Sequence, residues 1–378
     1  MWVASSVVPD AVRVIISPML ILVGFGVVGT IAGQLSGWGL AGLFGMGLLL
    51  ARRKALRKLS STEEIESSLR QDVQTMMSYG LPLYFGSLLG TVLDQYQNIV
   101  LAFFTTNAEI GNLNVATNFG ALVEVIAIPV ATVLFPAFSK LDFQTRKKEL
   151  QGMFQYSVKY TTLLIFPVAV VVAAFSKDLI LVVYGAAYAS APTYLTPYSS
   201  IFLLTGLGYY VVGSFLSGIG RTREIVKIVI VQLAFLIPVA PAMAWLWRVP
   251  GVIAGSVLSA LVATGFGLWL AIRKYGMQVD LKDSVAVLVT ALASTIPILP
   301  LAWYSPLPSL TNVLICASIY IVVYLTLAPV LKAVRRTDIQ ILESVFGQIR
   351  IVRPVAQLIL AYEERVLVAL ERGNTETA

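Results

Sequence analysis

Long apolar runs alternate with short polar breaks along the whole chain. A helix that crosses a bilayer needs about 20 mostly apolar residues. Ten runs meet that length, near residues 11–30, 32–51, 80–104, 112–136, 154–176, 193–216, 226–247, 250–272, 284–304 and 311–331. The pattern predicts an all-α, polytopic membrane protein of about ten transmembrane helices. Residues 14–51 carry no charge, which is room for two spans, with the turn expected at Gln34, Ser36 and Gly37. Gly29, Gly33 and Gly37 form a small-xxx-small run that lets helices approach closely. Pro82, Pro129, Pro136, Pro167, Pro192, Pro197 and Pro238 fall in spans three to seven and are expected to bend them.

Outside the spans, residues 52–79 read as a cytoplasmic linker in which Ser61 or Thr62 is placed to cap a short surface helix. The tail, 333–378, is amphipathic and cytoplasmic. Thr337 with Gln340 fits a capping box, and Ile339, Leu342, Val345, Phe346 and Ile349 form an apolar stripe. Pro354 breaks it, and 355–371 reads as a second helix. Two readings stay open for the tail: an anchor on the membrane surface, or a loosely docked segment.

Charge then sets the orientation. Of the 27 Lys and Arg residues, 23 follow spans two, four, six, eight and ten. The positive-inside rule places that side, and both termini, in the cytoplasm of a multi-pass cell-membrane protein. In a soluble chain a net charge of +7 would raise nucleic acid as a partner; here the positives belong to the bilayer surface and no nucleic acid is expected. The opposite loops are very short, at 105–109, 247–250 and 304–309, and leave no room for an outer catalytic domain. The longer one, 177–191, is apolar enough to lie in the interface.

Composition agrees: 57% of residues are hydrophobic and 12% charged, against roughly 25% charged in soluble domains. There is no histidine and one cysteine, Cys316. That excludes a His-based zinc site, triad or proton relay, and an intrachain disulfide. No metal site, cofactor or Walker A sequence is expected.

A charge at mid-membrane is costly, so its presence points to function. Asp94 lies near the middle of span three and Glu124 near the middle of span four. Ser87, Thr91, Asp94 and Asn98 share one helix face, and Asn114, Thr117, Ala121 and Glu124 share another. Two facing polar stripes suggest a wet cavity; the bland alternative is an interhelical contact. Tyr194, Tyr198, Thr205 and Tyr209 align on span six, as a substrate path or as plain packing. Lys159, about one turn inside span five, either snorkels to headgroups or faces the cavity to attract phosphate.

A series of fragments is also familiar. Gly80-Leu81-Pro82 opens span three and Asp94-Gln95 follows at its middle. Ile110-Gly111-Asn112-Leu113-Asn114-Val115-Ala116 starts span four, and Phe135-Pro136-Ala137-Phe138-Ser139 ends it. Tyr184-Gly185, Tyr188, Ala191, Leu195 and then Gly218-Ile219-Gly220-Arg221-Thr222 come next. This order resembles the Wzx-type polysaccharide and lipid-linked oligosaccharide flippases of the MOP (multidrug/oligosaccharidyl-lipid/polysaccharide) exporter superfamily. Leu113 replaces the aromatic usual after the glycine of span four.

The resemblance implies a complete six-helix lobe at 80–272, two additional C-terminal helices at 284–331, and in 1–51 the last two helices of a partial first lobe. The first four helices of that lobe would be lacking. The missing helices, or a second copy in a homodimer, would then complete the cavity, and the missing helices would supply the cations that pyrophosphate-linked substrates need. It implies a transporter, not an enzyme, that flips a lipid-linked oligosaccharide by alternating access. Its pathway would be lined by Asp94, Glu124, Asn98, Thr91, Asn114, Lys159, Tyr198 and Tyr209, with coupling to a proton or Na⁺. The alternative is a cation-coupled multidrug antiporter of the same superfamily. A glycosyltransferase lacks the boundary carboxylates its chemistry needs, since only Glu109 and Asp178 lie at the outer boundary. A scaffold subunit is the remaining class.

Overall fold

The computed structural model describes residues 14–59, 69–141, 143, 145–304, 308–346 and 353–376. Every regular element among them is helical. The chain forms two compact units, Met1–Gln74 and Thr75–Ala378.

In the first unit, α1 (Gly26–Leu59) is a single helix. The chain reverses before it at Gly24 and Gly26, whose φ angles are 100° and 50°, a region open at little cost only to glycine. The turn therefore falls at 24–26, not at Gln34–Gly37. Residues 14–20 pack back on α1 where Gly29 and Gly33 remove the side chains: a Cβ at Gly33 would sit 2.9 Å from the Ser17 Cα. The expected cap at Ser61 or Thr62 lies outside the described residues.

The second unit begins within α2 (Leu69–Phe104). It continues through α3 (Asn107–Ser139), α4 (Lys147–Ala174), the short α5 (Ser176–Tyr184) and α6 (Ala191–Tyr198). A tighter helical stretch, Ser199–Leu207, then leads to α7 (Tyr209–Gly218) across Gly208 at φ 88°. Next come α8 (Thr222–Arg273), α9 (Leu281–Ala293), α10 (Leu299–Tyr304) and α11 (Ser309–Val330). The tail supplies α12 (Arg336–Phe346) and α13 (Arg353–Glu376).

Among the described residues, seven helices are long and apolar enough to cross a membrane, and an eighth where α6 and α7 form one span bent by 45°. α8 must be two of the expected spans: straight, it would run about 78 Å, against a hydrocarbon core of about 30 Å. It breaks at Arg248, with φ 53° and ψ −127°. Gly251 lies against the Met243 carbonyl, and a Cβ at Gly255 would sit 3.2 Å from the Ala240 Cα. The two halves thus form a hairpin in near backbone contact. The prolines do not set the breaks: α2 runs through Pro82 and α4 through Pro167. The turn before α1 and the break in α8 occur at positive φ instead.

Alternation along the chain is visible in the polar contacts. At one end Arg248 pairs with Glu109 at 3.1 Å and Asn312 donates to Asp178 at 3.1 Å. At the other, the Tyr79 hydroxyl donates to the Ser217 carbonyl at 3.0 Å and the Gln151 amide to the Gly276 carbonyl. The α3 start is fixed by a capping box, Thr106 with Glu109. In the 177–191 loop, α5 leaves Leu181, Val182 and Val183 exposed, as an interfacial helix does.

Three cores hold the unit. One joins Ala116, Phe119 and Val123 of α3 with Leu195, Leu236, Ala240 and Val252. A second, at the basic end, is aromatic: Phe215 meets Phe154 at 5.1 Å and Phe138 at 5.6 Å, edge to face. The third joins α4, α9 and α11, and Ile339, Leu342 and Leu360 of the tail are buried in it. The tail is thus built into the protein core rather than loosely docked. Its first cap also differs: the Asp338 carboxylate accepts from the Arg335 N–H at 2.8 Å, and Thr337 lies inside the helix.

Candidate functional site

The face of α2 that packs inward is fixed by two polar contacts to α8. The Tyr96 hydroxyl donates to the Ile237 carbonyl at 2.6 Å, and the Ser256 hydroxyl donates to Gln97 Oε1 at 2.8 Å. With Leu93 and Val100 buried beside them, the helical period turns Ser87, Thr91, Asp94 and Asn98 to the exposed side of the unit. On α3 the buried face is Leu113, Ala116, Phe119 and Val123. Asn114, Ala121 and Glu124 are exposed and Thr117 is half-buried.

Asp94 and Glu124 lie close enough to feel each other's charge. Neither makes a hydrogen bond or ion pair among the described residues. Tyr198 and Tyr209 are within electrostatic reach of both acids. The Tyr198 ring reaches α3 because Gly120, one turn before Glu124, leaves room; a Cβ there would sit 2.7 Å from the ring. Tyr210 packs edge to face on Tyr209 at 4.9 Å and also senses Glu124. The structure thus gathers Asp94, Glu124, Tyr198 and Tyr209, with Thr91, Asn98 and Asn114 along the same two exposed faces.

Two expectations are corrected. Tyr194, Tyr198, Thr205 and Tyr209 do not form one face, because the helix narrows after Tyr198 and breaks at Gly208. Tyr194 and Thr205 are buried, and Tyr194 neighbours Glu109 and Arg248 instead. Lys159 neither snorkels nor faces open space. Its side chain is 5% exposed and its ammonium pairs with Asp338 at 2.6 Å and Asp283 at 3.2 Å.

Arg335 closes the cluster on Asp283 at 2.6 Å, and the Tyr160 hydroxyl donates to Asp338 at 3.3 Å. Nearby on α13, burial and the charge of Asp338 push the Glu363 carboxyl up to about 7. This cluster clamps the tail to α4 and α9. Neither aspartate was singled out from sequence, since Lys159 and Asp338 lie 179 positions apart and no local pattern links them. Gly120 and Tyr210 were also missed; a lone glycine in an apolar helix gives no signal of which side chain approaches it.

The described residues thus form a bundle of apolar helices with two carboxylates, unpaired among those residues, on an exposed polar face. The sequence profile of the polysaccharide biosynthesis protein family matches residues 1–192, half of the chain, and the chain belongs to that family. An uncharacterized membrane protein, MJ1068 of Methanocaldococcus jannaschii, is 24% identical over 234 residues. The match covers 61% of this chain and 45% of that relative, so the chain spans less than half the relative's length. The solved structure of lipid II flippase MurJ, in an inward closed conformation, aligns at a TM-score of 0.63 and 15% identity. It covers 87% of this chain and 67% of that one, so the fold is shared. An outward-facing MATE multidrug transporter of the MOP superfamily aligns at a TM-score of 0.48 and 13% identity, over 78% of this chain and 77% of that one.

Proposed function

We propose that this protein flips a lipid-linked oligosaccharide or polysaccharide precursor across the cell membrane by alternating access. The observation that carries the reading is the pair Asp94 and Glu124, unpartnered among the described residues, in mid-helix on an exposed polar face. A carboxylate facing lipid would be expelled or neutralised at a cost of a few kcal/mol. One that lines a cavity can bind a proton or monovalent cation in one state and release it in the other. Membership in a polysaccharide biosynthesis family supports a sugar-bearing cargo, and the shared fold with a lipid II flippase supports a lipid-linked one. The opposite wall of the cavity is read as a second lobe or a second copy. The basic loops support an orientation with both termini in the cytoplasm.

Asp94→Asn tests the mechanism, since it removes the charge with little change in volume. Protein level and accumulated lipid-linked sugar would be measured in a strain that depends on this transporter. Normal protein with lost export is expected; normal export would refute a coupling role. Cysteines at Asn107 and Thr145 test the orientation, and should label from opposite sides of the membrane.

A further inference from the structure

A groove of about 460 Å³ opens between the first half of α2 and the start of α8. Its size falls in the range of small-molecule sites, about 300–1,000 Å³. Leu81, Pro82 and Phe85 line one side, and Arg223, Val226 and Lys227 the other. The helices close on each other at Gly86, where a Cβ would meet Ile225 and Val226 at 3.9 Å. The Tyr79–Ser217 hydrogen bond ties the same region at 3.0 Å, so the groove is a feature of fixed packing.

Its walls are almost wholly apolar, while its two ionisable lining groups are both cations. Arg223 and Lys227 are one helical turn apart, so their side chains emerge on one face. Arg223 has no carboxylate partner among the described residues. Lys227 reaches Glu224 at 3.1 Å, but Glu224 is also held by Lys274. Two lysines thus share one carboxylate, and net positive charge remains at the groove. This end of the bundle carries the basic loops, which the positive-inside pattern assigns to a leaflet's headgroup region.

We propose that this groove binds an anionic phospholipid, with its phosphate between Arg223 and Lys227 and an acyl chain along Leu81, Pro82 and Phe85. The pattern fits that chemistry: a zwitterionic headgroup leaves the positive charge uncompensated, and a free phosphate leaves the apolar wall unused. None of these residues lies on the Asp94–Glu124 face, so the inference stands or falls independently of the transport reading.

The test uses the full chain in nanodiscs of equal phosphatidylglycerol and phosphatidylcholine, with retained lipid counted by native mass spectrometry. Wild type should retain phosphatidylglycerol preferentially. Arg223→Gln and Lys227→Gln should each lower that retention about fivefold, and together about 25-fold, as expected for a basic residue at an anionic surface. Both side chains are exposed, so folding should survive, and Arg223→Lys should keep most of the preference. Neutralising the equally exposed Lys140 and Lys148 should leave it unchanged. Leu81→Gln should weaken retention through the apolar wall alone. Equal retention of the two lipids, or a double variant like wild type, would overturn the proposal. Displacement of the lipid by soluble glycerol 3-phosphate at equal concentration would show a bare anion site and overturn it too.

Discussion

Replacing Lys159 with Met removes one charge from a cluster that is otherwise balanced, two cations against two carboxylates. The loss is uneven. Asp283 keeps Arg335 at 2.6 Å, on the exposed rim. Asp338, with its side chain 1% exposed, keeps the Arg335 N–H and the Tyr160 hydroxyl but no cation at ion-pair distance among the described residues. Breaking a buried pair costs about 3–5 kcal/mol, because the remaining charge is stranded. With Asp283 still compensated, the lower end is expected. That cost falls on the docking of α12 and α13, which Asp338 caps, rather than on the whole bundle. About 3 kcal/mol raises the undocked population more than 100-fold. Limited proteolysis of the full chain in detergent would read it as faster cleavage in 336–376, with the rest of the protein intact. The double variant Lys159→Met/Asp338→Asn should cost less than the sum of the two single changes. If Lys159→Met left the tail as protected as in wild type while abolishing export, the clamp would be wrong, and Lys159 would belong to the transport path.

Three further outcomes follow from named contacts. Glu363 has a folded pKa of about 7 against its usual 4.5, so the docked tail holds the extra proton; docking is firm below about 4.5 and weakens as pH rises through 7. Tail proteolysis should therefore be faster at pH 8 than at pH 6, and Glu363→Gln should flatten that difference. Gly120→Ala would push a Cβ to 2.7 Å from the Tyr198 ring and should destabilise by about 1–3 kcal/mol. Gly152→Ala on α4, with open space at its Cβ, should stabilise by up to about 1 kcal/mol; melting temperatures compare the two. Arg248→Gly removes the positive-φ strain of about 1–3 kcal/mol and loses a half-exposed pair with Glu109, worth about 0–1 kcal/mol. It should melt no lower than wild type, whereas Arg248→Ala should melt lower.

Much of the architecture is written locally. A chain in a bilayer must satisfy its backbone hydrogen bonds within each helix, so apolar run length alone implies the all-α class. Trp247, Arg248 and Pro250 between two apolar runs mark the hairpin that the backbone makes at Arg248. The helical period likewise aligns Asp94 with Thr91 and Asn98, and Glu124 with Asn114, because neighbours on one turn share a face whatever the rest of the protein does. Local periodicity fails wherever the helix itself changes. The tight stretch after Tyr198 and the break at Gly208 bury Thr205 and leave Tyr209 beside the acids, although the spacing put them on one stripe. Reversal at Gly24–Gly26 rather than Gln34–Gly37 was hidden for a related reason: every one of those glycines permits a turn, and only the packing of residues 14–20 on Gly29 and Gly33 selects one. Partner choice is the least local of all. Lys159 finds Asp338 and Asp283 only after α9, α11 and the tail have packed on α4, because an ion pair is decided by distance in space and not along the chain.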